Sequence, residues 1–517
     1  MSELDESSAP FDEEGERSRS CWWKKRSVTS SEGLGSDPRN ANPRFAPGGR
    51  GPLKFMVLQQ RPGRARLYQG ATFWLGLLVL LLAVASTVMT AVVDQTADDS
   101  RATLLVSQTL WKTGTIRLQI SAGEVRRYSF TVQRKNGRSY GYFPLGSAVL
   151  AVPFVAVLDH FNFDVRDGHT DARAQRLLVT GISVLCVALL VAVARLFLSE
   201  AWALLIAGVF WFGTSLASTE ATALWSHDFG SVFALLAIYL CLCPSSRSLA
   251  PRSAGFVIGG ALFVAYFCRP TLSLLAPEVL LYLWFRRRAS VWGCVVTLTA
   301  GLLLFVAFSW REFHQLLPDY YLPERLSNAQ FWTALWNNLA GPARGLFVYS
   351  PILALPLLFA RPAFRGLRSA PWVVLIALCW PITHLIVISR FPHWWAGFSF
   401  GARLCTDLLP GLFVLLCLTI EEARATSARL LPVAVVLLAL PSILINTYQG
   451  LYNTATQHWN ARPNIDRNPG LLFDWHYPQF LATNARNAQR LERFQSQKPA
   501  APRQHSPHRH RLKPAPT

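Results

Sequence analysis

Two adjacent acids, Asp98 and Asp99, stand in a polar segment that opens at Asp94, directly after the uncharged run Ala71–Val93. That run is long enough to cross a bilayer core of roughly 30 Å at about 1.5 Å per residue. The polar stretch behind it does not return to long apolar sequence until about Tyr142. Carboxylates fixed close to a membrane surface, under a large loop and ahead of many more apolar runs, suit proton transfer on a lipid-borne substrate. Their plainer roles are solvated loop charge, or a cap for the helix expected near Ala102.

Other ionisable residues gather near the ends of apolar runs: Arg101, Glu220, His227, Asp228, Arg269, Arg344, His393 and Arg403. Arg269, Arg344 and Arg403 carry the planar fork that binds phosphate oxygens in bidentate fashion, and the last two adjoin glycines that let a phosphate approach the backbone. For each, the alternative is an arginine snorkelling at the interface or pairing with an acid. His227 and Asp228 could bind a metal or orient an acceptor, or simply cap the helix that begins at Phe229. Glu220 is a fainter version of the same idea. The tryptophans Trp332, Trp336, Trp394 and Trp395 could stack on sugar rings, but interfacial belts collect tryptophan anyway.

The elements that must position these groups are membrane spans. Half of the 517 residues are apolar, with 18 Trp and 32 Phe, and the apolar runs are continuous. That predicts an all-α polytopic membrane protein, since barrel strands would alternate every residue over short segments. The formal charge of +20 sits largely in the tails and short loops, so it calls for membrane lipid and not nucleic acid. The nine cysteines show no CxxC spacing and no His partners, which indicates neither a disulfide framework nor a zinc site.

Beyond Ala71–Val93, spans are expected over Arg176–Phe197, Ala201–Ser218, Phe229–Cys243, Ser253–Cys268, Thr271–Phe285, Val291–Trp310, Gly345–Ala360, Pro371–Ser389, Leu404–Ile420 and Leu430–Asn446. The short run Tyr142–Leu158, with Pro144 and Pro153, either crosses or lies in the membrane plane. Keeping it in plane places Arg195, Arg247, Arg252, Arg286 to Arg288, Arg361, Arg365, Arg368, Arg424 and Arg429 in short cytoplasmic loops, as the positive-inside rule asks. The expectation is then about eleven spans (11–13 with the ambiguous run), with the N-terminus inside and the C-terminus outside. The domains read as a disordered basic tail (1–66), a transmembrane domain (67–446) whose first outer loop (94–175) holds in-plane helices, an ordered outer tail (447–482) and a disordered basic tail (483–517).

The order of these pieces resembles the GT-C superfamily, integral-membrane glycosyltransferases that use polyprenyl-phosphate sugars, such as protein O-mannosyltransferases and the aminoarabinose transferase of lipid A. The residues that carry the resemblance are Asp98-Asp99-Ser100-Arg101, then Tyr142-Phe143-Pro144-Leu145-Gly146, then Trp225-Ser226-His227-Asp228. Gly341-Pro342-Ala343-Arg344-Gly345, His393-Trp394-Trp395 through Arg403, and the tail from Trp459 through Ile465-Asp466 to Phe473-Asp474-Trp475 are similar to an uncharacterised bacterial branch. The chain departs from the pattern where Ser-Arg, not an aromatic, follows the acid pair, and where His227 precedes the second acid.

The resemblance implies an inverting transfer of a sugar from a polyprenyl phosphate to an acceptor hydroxyl at the outer face of an inner membrane. Asp99, or Asp98, would be the base, and the arginines would hold the leaving phosphate. A divalent metal, if one is used, would fall to Asp99 and Asp228. Competing readings are a flippase for lipid-linked sugars, a non-catalytic scaffold on the same frame, and a polysaccharide polymerase or ligase. Nearly clean apolar runs, with Glu278 and His384 as exceptions, disfavour a transport path.

Overall fold

The computed structural model describes residues 65–90, 99–121, 124, 128–243 and 250–497, all within one compact unit spanning 58–517. Asp98, Arg126, Arg127, Arg247 and most of the expected N-terminal tail lie outside the described residues.

The architecture is helical and polytopic. Among the described residues six helices are long and apolar enough to cross a membrane: Gly168–Ala194, Pro251–Cys268, Arg288–Phe313, Pro371–Ser389, Arg403–Thr426 and Leu430–Tyr452. Three shorter apolar helices, Thr72–Val88, Glu200–Phe212 and Ser226–Leu242, accompany them. Helices close their own backbone hydrogen bonds, so their outer faces can be wholly apolar. Leu303, Leu304, Val436 and Leu437 are accordingly exposed, while Phe210, Trp211, Trp380 and Phe413 fill the core between helices. The expected span Gly345–Ala360 is not one helix. It is divided into Leu346–Tyr349, Pro351–Ala354 and Leu355–Leu358, because Pro351 and Pro356 each lack the N–H that a continuous helix needs.

The ambiguous run forms two short helices, Leu145–Leu150 and Val152–His160, divided ahead of Pro153. At about 1.5 Å per residue neither helix alone approaches a bilayer thickness. The first short helix rests on the backbone at the end of Pro251–Cys268. A Cβ on Gly146 would lie 2.4 Å from the Cys268 nitrogen, so only glycine permits the contact that sets the chain just before Arg269.

The first outer loop also holds an antiparallel ribbon, Val132–Lys135 with Arg138–Gly141. Asn136 and Gly137 both take positive φ (51° and 74°), the conformation that a two-residue hairpin turn requires. Lys135 Nζ donates to Gln315 Oε1 (2.6 Å) and Asp319 Oδ1 (2.9 Å), and Arg117 Nε donates to Glu312 Oε2 (2.9 Å). These bonds tie the first loop to the later outer segment 311–344. Burial alone would raise the Asp319 carboxyl, but the bonds from Gln315 and the Lys135 ammonium hold it below its usual range.

The tail beyond Thr447 folds back over the same face, with helices Ala455–Ala461 and Asn484–Ser496. The second corrects the expectation of disorder from residue 483. Thr483 caps it, its side chain accepting from the Arg486 N–H (3.2 Å), and Arg490 lies 4.0 Å over the Trp459 ring while donating to the Trp459 carbonyl (2.6 Å). A polar helix gains its stability from that docking and not from an apolar face.

Candidate active site

Where the first loop, the segment 319–327, the loop 390–404 and the tail meet, they enclose a cavity of about 750 Å³. Asp99, Arg269, His393 and Arg403 line it together, although they lie up to 304 residues apart in sequence. Phe130, Phe143, Tyr320, Glu324, Arg325, Phe391 and Asp466 complete most of its wall. A second cavity of about 210 Å³ adjoins it and shares Arg269, Tyr320, Arg325 and Phe391. Its remaining lining includes Leu274, Leu322, Leu326 and Val387.

Asp99 opens the short turn Asp99–Ala102, ahead of the helix Thr103–Thr113. That helix begins at Ala102 with no side-chain cap, so the capping role is not the one Asp99 plays. Its Oδ2 accepts instead from Arg403 Nη2 at 3.1 Å. The Arg403 guanidinium in turn lies 4.4 Å over the Trp225 ring, a cation–π contact that fixes its plane.

Beneath the cavity floor a charged knot holds Arg269. The completely buried Asp407 accepts from Arg269 Nε (2.9 Å) and Thr271 Oγ1 (2.8 Å), and His227 Nδ1 lies 2.6 Å from its other oxygen. His384 Nε2 approaches within 3.6 Å. A buried carboxylate costs several kcal/mol in lost hydration, so it persists only with its lone pairs filled in this way. Arg269 spends one edge on Asp407 and reaches the Tyr320 hydroxyl with Nη1 at 3.2 Å.

Several expected site residues lie elsewhere. His227 supports Asp407 and does not line the cavity. Asp228 is buried at the start of its helix, its Oδ2 accepting from the Trp225 N–H (3.1 Å), and Glu220 is buried with Ser231 donating to it (2.5 Å). Neither joins Asp99 in the cavity lining. Asp228 acts as the helix-start acid that a capping box uses. Among the described residues no group of three or more His, Cys, Asp or Glu side chains is disposed to hold a metal ion. Arg101 is half-buried and outside the cavity lining.

Arg344 is the clearest correction. It is buried, and its five donors reach neutral acceptors: the carbonyls of Trp395 (2.7 Å), Ala343 (2.8 Å) and Gly397 (3.0 Å), Gln479 Oε1 (2.7 Å) and Asn460 Oδ1 (3.2 Å). Burial pulls its guanidinium down to about 10. With every donor occupied it staples loop 393–401 to the tail and has nothing left for a phosphate. On that stapled loop His393 and Trp395 share one acceptor, Asp466 Oδ1, at 3.0 and 2.8 Å, with their rings 4.2 Å apart. Trp332 and Trp336 are exposed and apart from the cavity.

The sequence reading missed Asp407, Tyr320, Glu324 and Arg325, and gave Asp466 no role in the site. A signal existed for Asp407: an acid inside the apolar run Leu404–Ile420 is a functional candidate by default. The residues of 320–325 had none, since they lie in a loop interrupted by Pro318 and Pro323 with no periodic pattern.

The fold and cavity together define a multi-pass helical membrane protein with a charged chamber lined by its loops. No family model and no curated protein matches the chain. Among solved structures it is similar to ArnT from Cupriavidus metallidurans in the apo state, at 16% identity and a TM-score of 0.46 over 76% of this chain and 69% of that one. It is also similar to ArnT from the same organism bound to undecaprenyl phosphate, at 14% identity and a TM-score of 0.44 over 81% and 76%.

Proposed function

We propose that the protein is an inverting glycosyltransferase of GT-C type, moving a sugar from a polyprenyl phosphate to an acceptor hydroxyl at the outer face of a bacterial inner membrane. The observation that carries this reading is the convergence of Asp99 with Arg269, Arg325 and Arg403 in one cavity that adjoins a largely apolar one. A carboxylate and several guanidiniums in one chamber match the two needs of the reaction. The acceptor oxygen must lose a proton, and the departing phosphate must be neutralised.

In this mechanism Asp99 accepts the proton of the acceptor hydroxyl as its oxygen attacks the anomeric carbon. The bond from that carbon to the phosphate oxygen breaks on the far side, and a single base with no covalent intermediate inverts the centre. Arg403 orients Asp99; Arg269, oriented by Asp407, contributes charge toward the phosphate. Roofing by Phe130 and Phe143 limits water, which favours transfer over hydrolysis. A flippase would need charges along a path through the spans, whereas the charges here close on one chamber. The experiment is sugar transfer from a panel of radiolabelled polyprenyl-phosphate sugars by the purified protein in lipid. Asp99→Asn is expected to abolish transfer while leaving donor binding in place.

A further inference from the structure

The cavity holds three arginines, and they are not equivalent. Arg269 is committed to Asp407 and Arg403 to Asp99. Among the described residues no carboxylate lies within ion-pair distance of Arg325, whose Nη1 donates to the Tyr320 carbonyl (3.1 Å). Its guanidinium lies 4.0 Å from the centre of the Tyr320 ring and 5.5 Å from that of Phe391. Aromatic faces fix the plane of the fork while leaving its edge donors free, the state in which arginine receives a phosphate with little further ordering. Glu324, next in the chain, also lines the large cavity and is exposed.

Position adds a second argument. Arg325 belongs to the walls of both cavities, so it marks the point where the charged chamber gives way to the largely apolar one. An amphiphile with an anionic head and an apolar tail is complementary to that junction; a free inorganic anion would leave the apolar side unfilled.

We propose that Arg325 is the docking cation for the phosphate of the lipid-linked substrate, with the first part of its apolar tail in the 210 Å³ cavity. The inference rests on the lipid-phosphate reading above and goes beyond it. It adds to Arg269 a phosphate-docking residue in segment 319–327, in place of Arg344 and Arg403, and makes Tyr320 the link between that residue and Arg269.

The test is equilibrium binding of undecaprenyl phosphate, undecaprenol and inorganic phosphate to the full chain in nanodiscs, for wild type, Arg325→Ala and Arg325→Lys. The expected result is tight binding of the lipid phosphate by wild type, at least tenfold weaker binding by Arg325→Ala, and an intermediate value for Arg325→Lys. Undecaprenol binding should change less than twofold, and inorganic phosphate should compete only weakly. Lipid-phosphate binding unchanged in Arg325→Ala overturns the inference and leaves the proposed function standing. So does an equal loss for phosphate and alcohol, which would mean a damaged fold. Inorganic phosphate binding as tightly as the lipid overturns the placement of the tail. A wild-type protein that binds no polyprenyl phosphate overturns the proposed function itself.

Discussion

Arg344 and Arg325 lie within twenty residues of each other in the same interhelical segment, yet the chain uses them in contrasting ways. Arg344 is buried, and each of its five donors ends on a carbonyl or an amide oxygen. Arg325 is half-buried between two rings, with a hydrogen bond to the Tyr320 carbonyl and a cavity in front of it. The first is a staple and the second a hand held open. The contrast extends to the acids: Asp407 is saturated below the floor, while Asp99 keeps 26% of its side chain exposed at the cavity wall. Burial with every donor and acceptor filled marks structure; partial exposure with valence to spare marks chemistry.

The comparison can be broken by substitution. The largest effect is expected for Asp407→Ala, which leaves the Arg269 charge buried without its counter-ion and should cost about 3–5 kcal/mol. Thermal unfolding in a fixed detergent would read this as a large drop in midpoint, and a midpoint within a degree of wild type would refute the saturated-knot description. Arg344→Met comes next: it strands several buried acceptors for a loss of about 3 kcal/mol. If that variant stays stable but loses donor binding, Arg344 is a substrate ligand and the staple account fails.

Asp466→Ala sharpens the picture from the other side. Its pair with His393 is partly exposed, so stability should fall by less than about 1 kcal/mol. Transfer should nonetheless drop on the order of tenfold, because His393 and Trp395 lose the shared acceptor that fixes them at the cavity wall. A rate equal to wild type would remove the tail from the site. Smallest of all is Trp332→Ala with Trp336→Ala: both side chains are exposed and outside the cavity lining, and turnover should stay within twofold.

How legible was this in the sequence? The membrane class and most helices follow from uncharged runs, since a bilayer leaves few alternatives for a continuous apolar stretch. In the Tyr142–Leu158 run, Pro153 signals the division into two short helices. The break inside 345–360 was signalled by Pro351 and Pro356 but outweighed by the apolar run around them. Within the site, Asp99, Arg269, His393 and Arg403 were legible because they stand at span ends on one face. Arg344 looked the same by that criterion, because a glycine-flanked arginine carries no sign of whether its donors will be filled. Arg325 was missed because tertiary packing against Tyr320 and Phe391, not spacing, brings it to the cavity. The hairpin turn Asn136-Gly137, a readable local signal, was passed over in a loop treated as irregular.

The central claim is that Asp99 performs base chemistry on a polyprenyl-phosphate sugar inside this chamber. The most direct measurement is single-turnover transfer from a matched polyprenyl-phosphate sugar by wild type and Asp99→Asn in the same nanodiscs, with donor binding followed in parallel. The account predicts product from wild type, and a loss of at least a hundredfold in the variant at unchanged donor affinity. Equal product from both proteins would contradict it, as would no product from wild type with any donor in the panel.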